Sequence, residues 1–405
     1  MKRIDFTNTQ VASSQTARDI NRGVVLNLIR RRQPISRADL ARVSGLQRST
    51  VSLITEQLIR ERWVVHGPIG RLPRGRRPRF LRLNDRKAIL VADLRPDQTK
   101  VGVADVNGSF LSQETMPTTN DPRTTAKDLA ERFLHLMDVH ADLVFEGVGI
   151  SLPGRISEKT QHVIFAPNLR WPDFDLKGAI EKATGLRVEL ENAANACALA
   201  EVWFGHAEKI RDFVVVTISE GLGTGVFVNG QLARGRDGMA GEFGHVPLDP
   251  SGPACSCGGR GCWEVYGSNR AALRYYHELS ATKDELSFQD LLALADSGEE
   301  LALKALEKVF EAIGRGMRMI VTGLAPHEIV VVGEVTRQWR RFGSLIEKEV
   351  GLGILAGRPT RVRPAEGDMA RLRGTVALVL QKHFGPSAGV REEEDERSQR
   401  GKAIA

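Results

Sequence analysis

One stretch restricts the possible folds more than any other: GMAGEFGHVPLDPSGPACSCGGRGCWEVYGS, residues 238–268. It holds His245, Cys255, Cys257 and Cys262, one imidazole and three thiols. Glycines at 258, 259 and 261 let the backbone close tightly around a single centre. Cysteines clustered in this way favour a metal over a disulfide in a chain expected to be cytoplasmic. A Cys₃His set is that of a closed, structural zinc site. A group of redox-active cysteines is the competing explanation. The chain's remaining cysteine, Cys197, lies in the run ENAANACALAE at 191–201, where it reads as a small core residue. Two carboxylates flank the knot, Glu242 three positions before His245 and Glu264 two after Cys262. Carboxylates braced by a metal suit pairs of sugar hydroxyls, which need acceptors; plain surface charge is the alternative.

The amino terminus is a different kind of sequence. Residues 1–85 carry 18 Lys and Arg against 6 Asp and Glu, while the rest carries 39 against 44, within a net charge of +7. A basic module on a mildly acidic body points to nucleic acid, unless it is only a solvated basic face. Residues 16–32 place Ile20, Val24 and Leu28 at helical spacing, and Pro34 ends that helix. Residues 35–65 then read as helix, turn and helix. Ser36 is positioned to cap, with Asp39 as its partner. Ala38, Leu40, Ala41 and Val43 supply packing positions, Gly45 the turn, and Val51, Ile54 and Leu58 an inner stripe. Gln47, Arg48, Ser49, Thr50 and Ser52 open the second helix with groups suited to base edges and phosphates. A generic three-helix bundle would share much of this pattern. Two short strands, 63–65 and 79–83, enclose a loop bearing Arg74, Arg76 and Arg77, with Arg79 at its end, as in a winged helix that sends arginines into a minor groove.

From residue 86 strands and helices alternate, which predicts two α/β lobes. The expected division is 1–85 for the winged helix-turn-helix and 86–193 for the first lobe, completed by a helix near 367–385. The second lobe takes 194–366, with the metal motif and an oligomerisation surface, and 386–405 is a disordered charged tail. No apolar run approaches the roughly 20 residues of a membrane span, and a cytoplasmic protein is expected.

The motifs GRDGMAGEFGH (235–245) and CSCGGRGCWE (255–264) resemble the signature of the ROK family of repressors, open reading frames and kinases. Further matches are SLPGRIS at 151–157, APNLRW at 166–171, ENAAN at 191–195 and GLGTGVFVNGQL at 221–232. The winged helix ahead of them is similar to that of the repressor branch. The resemblance implies an actin-like, hexokinase-like fold with a sugar cleft between its lobes. It implies that His245 binds zinc through one ring nitrogen and a sugar hydroxyl through the other. It also implies that Glu242, Glu264 and Asn192 hold further hydroxyls, with Gly154, Arg155 and Asn168 close by.

Kinases of this family carry an aspartate as general base in the pattern E-N-D-x-N, and this chain has Ala193 there. Their phosphate cradle D-x-G-G-T-K is here DLRPDQTK, 93–100, with Arg95 and Pro96 where glycines belong. Where paired glycines face the nucleotide, this chain has Gly333 followed by Glu334. These departures all fall on catalysis and ATP. The expectation is therefore a non-enzyme: a sugar-responsive regulator that carries structural zinc. It would act as a repressor released from a palindromic operator by a monosaccharide or sugar phosphate, as a homodimer or homotetramer. A sugar kinase with an appended DNA module is the runner-up. A regulator signalled by a partner protein is the third possibility.

Overall fold

The computed structural model describes residues 14–69, 78–157, 159–207, 210–281, 285–352, 359–365 and 369–384. The amino-terminal module comprises α1 (Ser14–Arg32), β1 (Ile35–Ser36), α2 (Arg37–Ser44), α3 (Arg48–Arg60), β2 (Val64–Ile69) and β3 (Arg79–Leu83). The Ser36 hydroxyl caps α2 by accepting from the Asp39 N–H at 3.1 Å, and it donates to the Asp39 carboxylate at 2.7 Å. Gly45, at φ +72°, turns the chain into α3, whose Val51, Ile54 and Leu58 are buried. The strands pair in the order β1-β3-β2, all antiparallel. Two expected faces are corrected. Ile20 and Val24 are 49% and 41% exposed, and the buried stripe of α1 is Val25, Leu26 and Ile29. The helical period holds; adjacent apolar residues at 24–26 permit several stripes, and the packing partner selects the one that Leu28 borders. In α2 only Leu40 is buried, while Ala38 and Val43 are exposed. Arg74, Arg76, Arg77 and the tail 386–405 lie outside the described residues.

The first lobe is built from β4 (Lys87–Leu94), β5 (Gln98–Asp105), β6 (Phe110–Pro117), α4 (Pro122–Val139), β7 (Val144–Leu152), β8 (Arg155–Ile156), β9 (Val163–Phe165), α5 (Leu176–Thr184) and β10 (Val188–Asn192). Its sheet runs β10-β7-β4-β5-β6, parallel from β10 to β4 and antiparallel from β4 to β6. After α6 (Ala193–Phe204) come β11 (Phe213–Ile218), β12 (Leu222–Val228), β13 (Gln231–Leu232), α7 (Glu264–Gly267), α8 (Asn269–Ser280), α9 (Phe288–Asp296), α10 (Glu300–Leu324), β14 (Glu328–Val332), α11 (Trp339–Gly351) and β15 (Arg361–Pro364). The second sheet, β13-β12-β11-β14-β15, repeats the first in order and in strand direction. This is the two-lobed, actin-like α/β architecture.

The layer between the sheets consists of α6 and α12 (Ala370–Phe384). α6 packs on β11 and β12, α12 packs on β4, β7 and β10, and the helices pack on each other. Every residue from Ala193 to Glu201 is buried. A Cβ added to Gly374 of α12 would lie 2.1 Å from the Ala196 carbonyl oxygen. The alanine run is thus what lets a helix be enclosed on all sides at close range. The amino-terminal module shares a core with this layer: Leu26, Ile29, Trp63 and Leu83 are continuous with Ile89, Val376 and Phe384. Among the described residues no helix is long and apolar enough to cross a membrane.

Candidate functional site

A cleft of about 450 Å³ opens between the lobes, and Gly154, Arg155, Asn168, Asn192, Glu242, His245 and Glu264 all line it. Asn192 ends β10 and caps α6. Its Oδ1 accepts from the Ala194 N–H at 2.9 Å, and its Nδ2 donates to the Gly154 carbonyl at 2.9 Å. One amide hydrogen remains for a ligand. Ala193 lines the cleft beside it. Glu191 is held elsewhere: it accepts from the Asn192 N–H at 2.9 Å and Asn195 Nδ2 at 3.1 Å, and pairs with Arg234. Glu264 Oε2 accepts from the Leu222 N–H at 3.0 Å, and Oε1 lies 3.4 Å from the Ser256 hydroxyl. Gly221 makes room for it, since a Cβ there would meet Glu264 Oε2 at 2.6 Å and Asn168 Nδ2 at 3.2 Å. The first glycine of GLGTG therefore packs a carboxylate, a role its sequence did not reveal. Glu242 has about half of its side chain accessible, yet the concave wall desolvates its carboxylate and Glu264 adds a like charge. Both effects raise its pKa against the pull of His245.

The four metal-ligand candidates converge. His245 Nδ1 lies 3.6 Å from Cys255 Sγ and Cys257 Sγ lies 3.7 Å from Cys262 Sγ, and one ligand atom from each residue falls within 4.8 Å of the others. A tetrahedral ion with metal–sulfur bonds of about 2.3 Å and metal–nitrogen bonds of about 2.0 Å spans S···S edges of about 3.8 Å and S···N edges of about 3.5 Å. The four side chains could hold one such ion. Burial pushes the Cys255 thiol up, and that of Cys262 up to about 12; a dication among them favours thiolates instead. Gly261, at φ +63°, closes the knot where a Cβ would overlap the Asp249 carbonyl oxygen. With Nδ1 toward the sulfurs, His245 Nε2 lies on the Glu242 side, 3.9 Å from its Oε2.

Pro96 and Arg371 also line the cleft, and behind them lies a group of ion pairs. The β4–β5 connection is closed by the Arg95 N–H donating to the Gln98 carbonyl at 3.0 Å, with Pro96 and Asp97 between them. Asp93 is buried, accepts from the Ser151 hydroxyl at 2.7 Å, and pairs with Arg95 at 3.0 Å and Arg371 at 2.9 Å. Burial opposes the Arg95 cation, but Asp93, Glu220 and Glu334 together outweigh it and raise its pKa. The part played by Asp93 and Arg371 was missed in the sequence, where they stand far apart with no shared motif. In the amino-terminal module Gln47, Arg48, Ser49 and Arg79 are exposed, and Thr50 and Ser52 are half-buried. Gln47 makes no side-chain cap, so its amide does not block the outward N–H groups at the start of α3.

The profile of the ROK family matches residues 92–382. The chain is 34% identical over 381 residues to the xylose repressor of Bacillus subtilis (strain 168), covering 92% of this chain and 98% of that protein. It is 32% identical over 278 residues to the glucokinase of Thermotoga maritima (strain MSB8), covering 65% and 87%. Among solved structures it resembles a ROK family transcriptional regulator described as a homologue of the E. coli MLC protein, with TM-score 0.79, 25% identity and coverage of 92% and 98%. At that coverage the last match extends into the amino-terminal module, which the family profile does not reach. The chain belongs to the ROK family.

Proposed function

We propose that this chain is a sugar-responsive, DNA-binding transcriptional repressor that binds its sugar without phosphorylating it. The observation that carries the reading is the division of the cleft. At one end a ring of hydroxyl-binding groups surrounds the metal knot. At the other, Ala193 stands where a proton acceptor is needed, and Arg95 and Pro96 replace the glycines of a phosphate cradle, with the Arg95 and Arg371 side chains both tied to the buried Asp93. Glu242 and Glu264 accept from sugar hydroxyls, His245 Nε2 and the free amide hydrogen of Asn192 bind others, and Gly154, Arg155 and Asn168 shape the wall. The ion is structural zinc on His245, Cys255, Cys257 and Cys262. It fixes the ring orientation of His245 and contributes no reactive step. The start of α3, from Gln47 to Ser52, enters a major groove, and Arg74, Arg76, Arg77 and Arg79 reach a minor groove. Two-fold operators fit a homodimer or homotetramer in the cytoplasm.

The relative named a xylose repressor makes D-xylose the first sugar to test. Sugar phosphates come second, with Arg155 as the anion contact. A gel shift on duplex selected by the full-length protein, repeated across a sugar panel, is the test. Release by a sugar supports the reading, and binding that is indifferent to every sugar and sugar phosphate sinks it. Arg76→Ala and Arg77→Ala weaken duplex binding and flatten its salt dependence. The glucokinase relative keeps a second reading alive, an active kinase with a DNA module. Incubation with ATP and hexoses decides it, because ADP formation at rates of about 1 s⁻¹ or more would establish an enzyme.

A further inference from the structure

We propose that the helix pair α6–α12 transmits the state of the cleft to the DNA module, which is anchored on the far ends of both helices and therefore responds to their relative movement. The proposal rests on the effector reading above and adds the route.

At the cleft, each helix supplies its first residues. Asn192, Ala193 and Ala194 at the start of α6, and Arg371 at the start of α12, line the wall. Each helix belongs mainly to a different lobe, since α6 rests on β11 and β12 while α12 rests on β4, β7 and β10. The attachments are close. A Cβ on Gly225 of β12 would lie 2.4 Å from the Ala194 carbonyl oxygen, and one on Gly149 of β7 would lie 2.2 Å from that of Thr375. Each helix is held to its own sheet at these glycines, and a change in lobe angle is taken up between α6 and α12 as a small slide of two packed helices.

At the other end the module straddles that seam. Arg30 of α1 donates to the Trp203 carbonyl at the end of α6, and its guanidinium lies 4.7 Å above the Trp203 ring. Arg22, two turns earlier on α1, donates to the His383 carbonyl at the end of α12 at 2.8 Å. Trp63, between α3 and β2, packs at 4.7 Å from the His383 ring and 5.8 Å from Phe384. Trp203 and Phe384 meet edge to face at 5.2 Å, joining the two helix ends beneath the module. A module fixed to one helix would ride along unaffected; one fixed to both tilts when they slide. Burial of Arg30, with Arg31 beside it, lowers its pKa to about 10, still charged at neutral pH. This anchor is therefore an ionic group held inside the joint.

The test uses full-length protein with Arg30→Ala, which removes the hydrogen bond and ring contact to α6, and Arg22→Ala combined with Trp63→Leu, which removes the hydrogen bond and the ring contacts to α12, with Glu61→Gln alone as the control for the Arg22–Glu61 pair. Duplex binding is read by fluorescence anisotropy with and without D-xylose and the other sugars of the panel, and sugar binding by calorimetry. In the wild type the releasing sugar lowers duplex affinity at least about tenfold, a coupling of about 1.4 kcal/mol. Each anchor variant is expected to keep its sugar affinity within about twofold and to bind duplex, while sugar-induced release falls below about threefold. Arg30→Lys, which keeps a donor and the charge, recovers part of the release and guards against a folding defect in the alanine form. If the wild type releases and both anchor variants release equally well, the route is wrong and the effector reading stands. If the wild type holds duplex unchanged across the whole panel, the effector reading falls and takes the route with it.

Discussion

On the proposed reading, Ala193 separates recognition from chemistry in this cleft. The neighbouring Asn192 amide still offers a hydrogen, but the methyl group beside it takes no proton, and Glu191 is bound to Arg234, Asn192 and Asn195. Ala193→Asp therefore restores a base and not a kinase. ADP release with ATP and hexoses should stay at background, because Pro96 and the Asp93–Arg95–Arg371 pairs remain; sustained turnover in this single variant would show that the pairs do not exclude ATP. At the metal knot Cys255→Ser should reduce bound zinc from about one per chain to none and lower the unfolding temperature. Sugar affinity should weaken as well, since His245 loses the ion that orients its ring. Zinc retained in full by this variant would remove Cys255 from the ligand set. The convergence of His245, Cys255, Cys257 and Cys262 was legible in the sequence because spacing in one short segment brings them together. The Asp93–Arg371 pair was not, because its partners meet only after α12 returns to β4.

At the scale of elements, α6 shows how composition follows from enclosure. A helix buried on every side, with carbonyl oxygens near Gly225 and Gly374, has room for little beyond alanine. Gly374→Ala should destabilise the protein by about 1–3 kcal/mol through overpacking against backbone. Thermal unfolding measures this, and an unchanged midpoint would mean that the seam between α6 and α12 is looser than described. For α3, Arg48→Ala should weaken duplex binding and reduce the slope of log affinity against log salt by about one unit. An unaltered slope would remove Arg48 from the phosphate contacts. The stripes of α3 and the cap of α2 were readable because Ser36, Gly45, Val51, Ile54 and Leu58 are local signals. The phase of α1 was not, because three successive apolar residues leave the choice of face to its neighbours.

At the scale of the molecule, the two sheets repeat one plan, and the helices between them join a ligand cleft to a DNA module. That module does not hang from a linker. Trp63, Leu81 and Leu83 share one core with Ile89, Val91 and Phe384, so a change of lobe angle meets no slack before it reaches α1. Chelation should act at this scale too. On the proposed reading, removing the ion should loosen the wall of the cleft around His245, and the expected outcome is loss of sugar-dependent release with duplex binding retained. Loss of duplex binding itself on chelation would place the metal in the DNA-binding structure instead.

The sequence by itself determined what depends on short-range chemistry: the Cys₃His cluster, the helix-turn-helix with its cap and turn glycine, the basic bias of the first 85 residues, and an alanine next to Asn192 at position 193. Residue type and spacing decide these, so they survive without coordinates. Only the tertiary structure decided which face of α1 is buried, that GLGTG packs against Glu264, that Asp93 binds two arginines, and that one pair of helices spans from cleft to module. Each of these depends on atoms brought together from segments distant in the chain, and close packing rather than local preference selects among them.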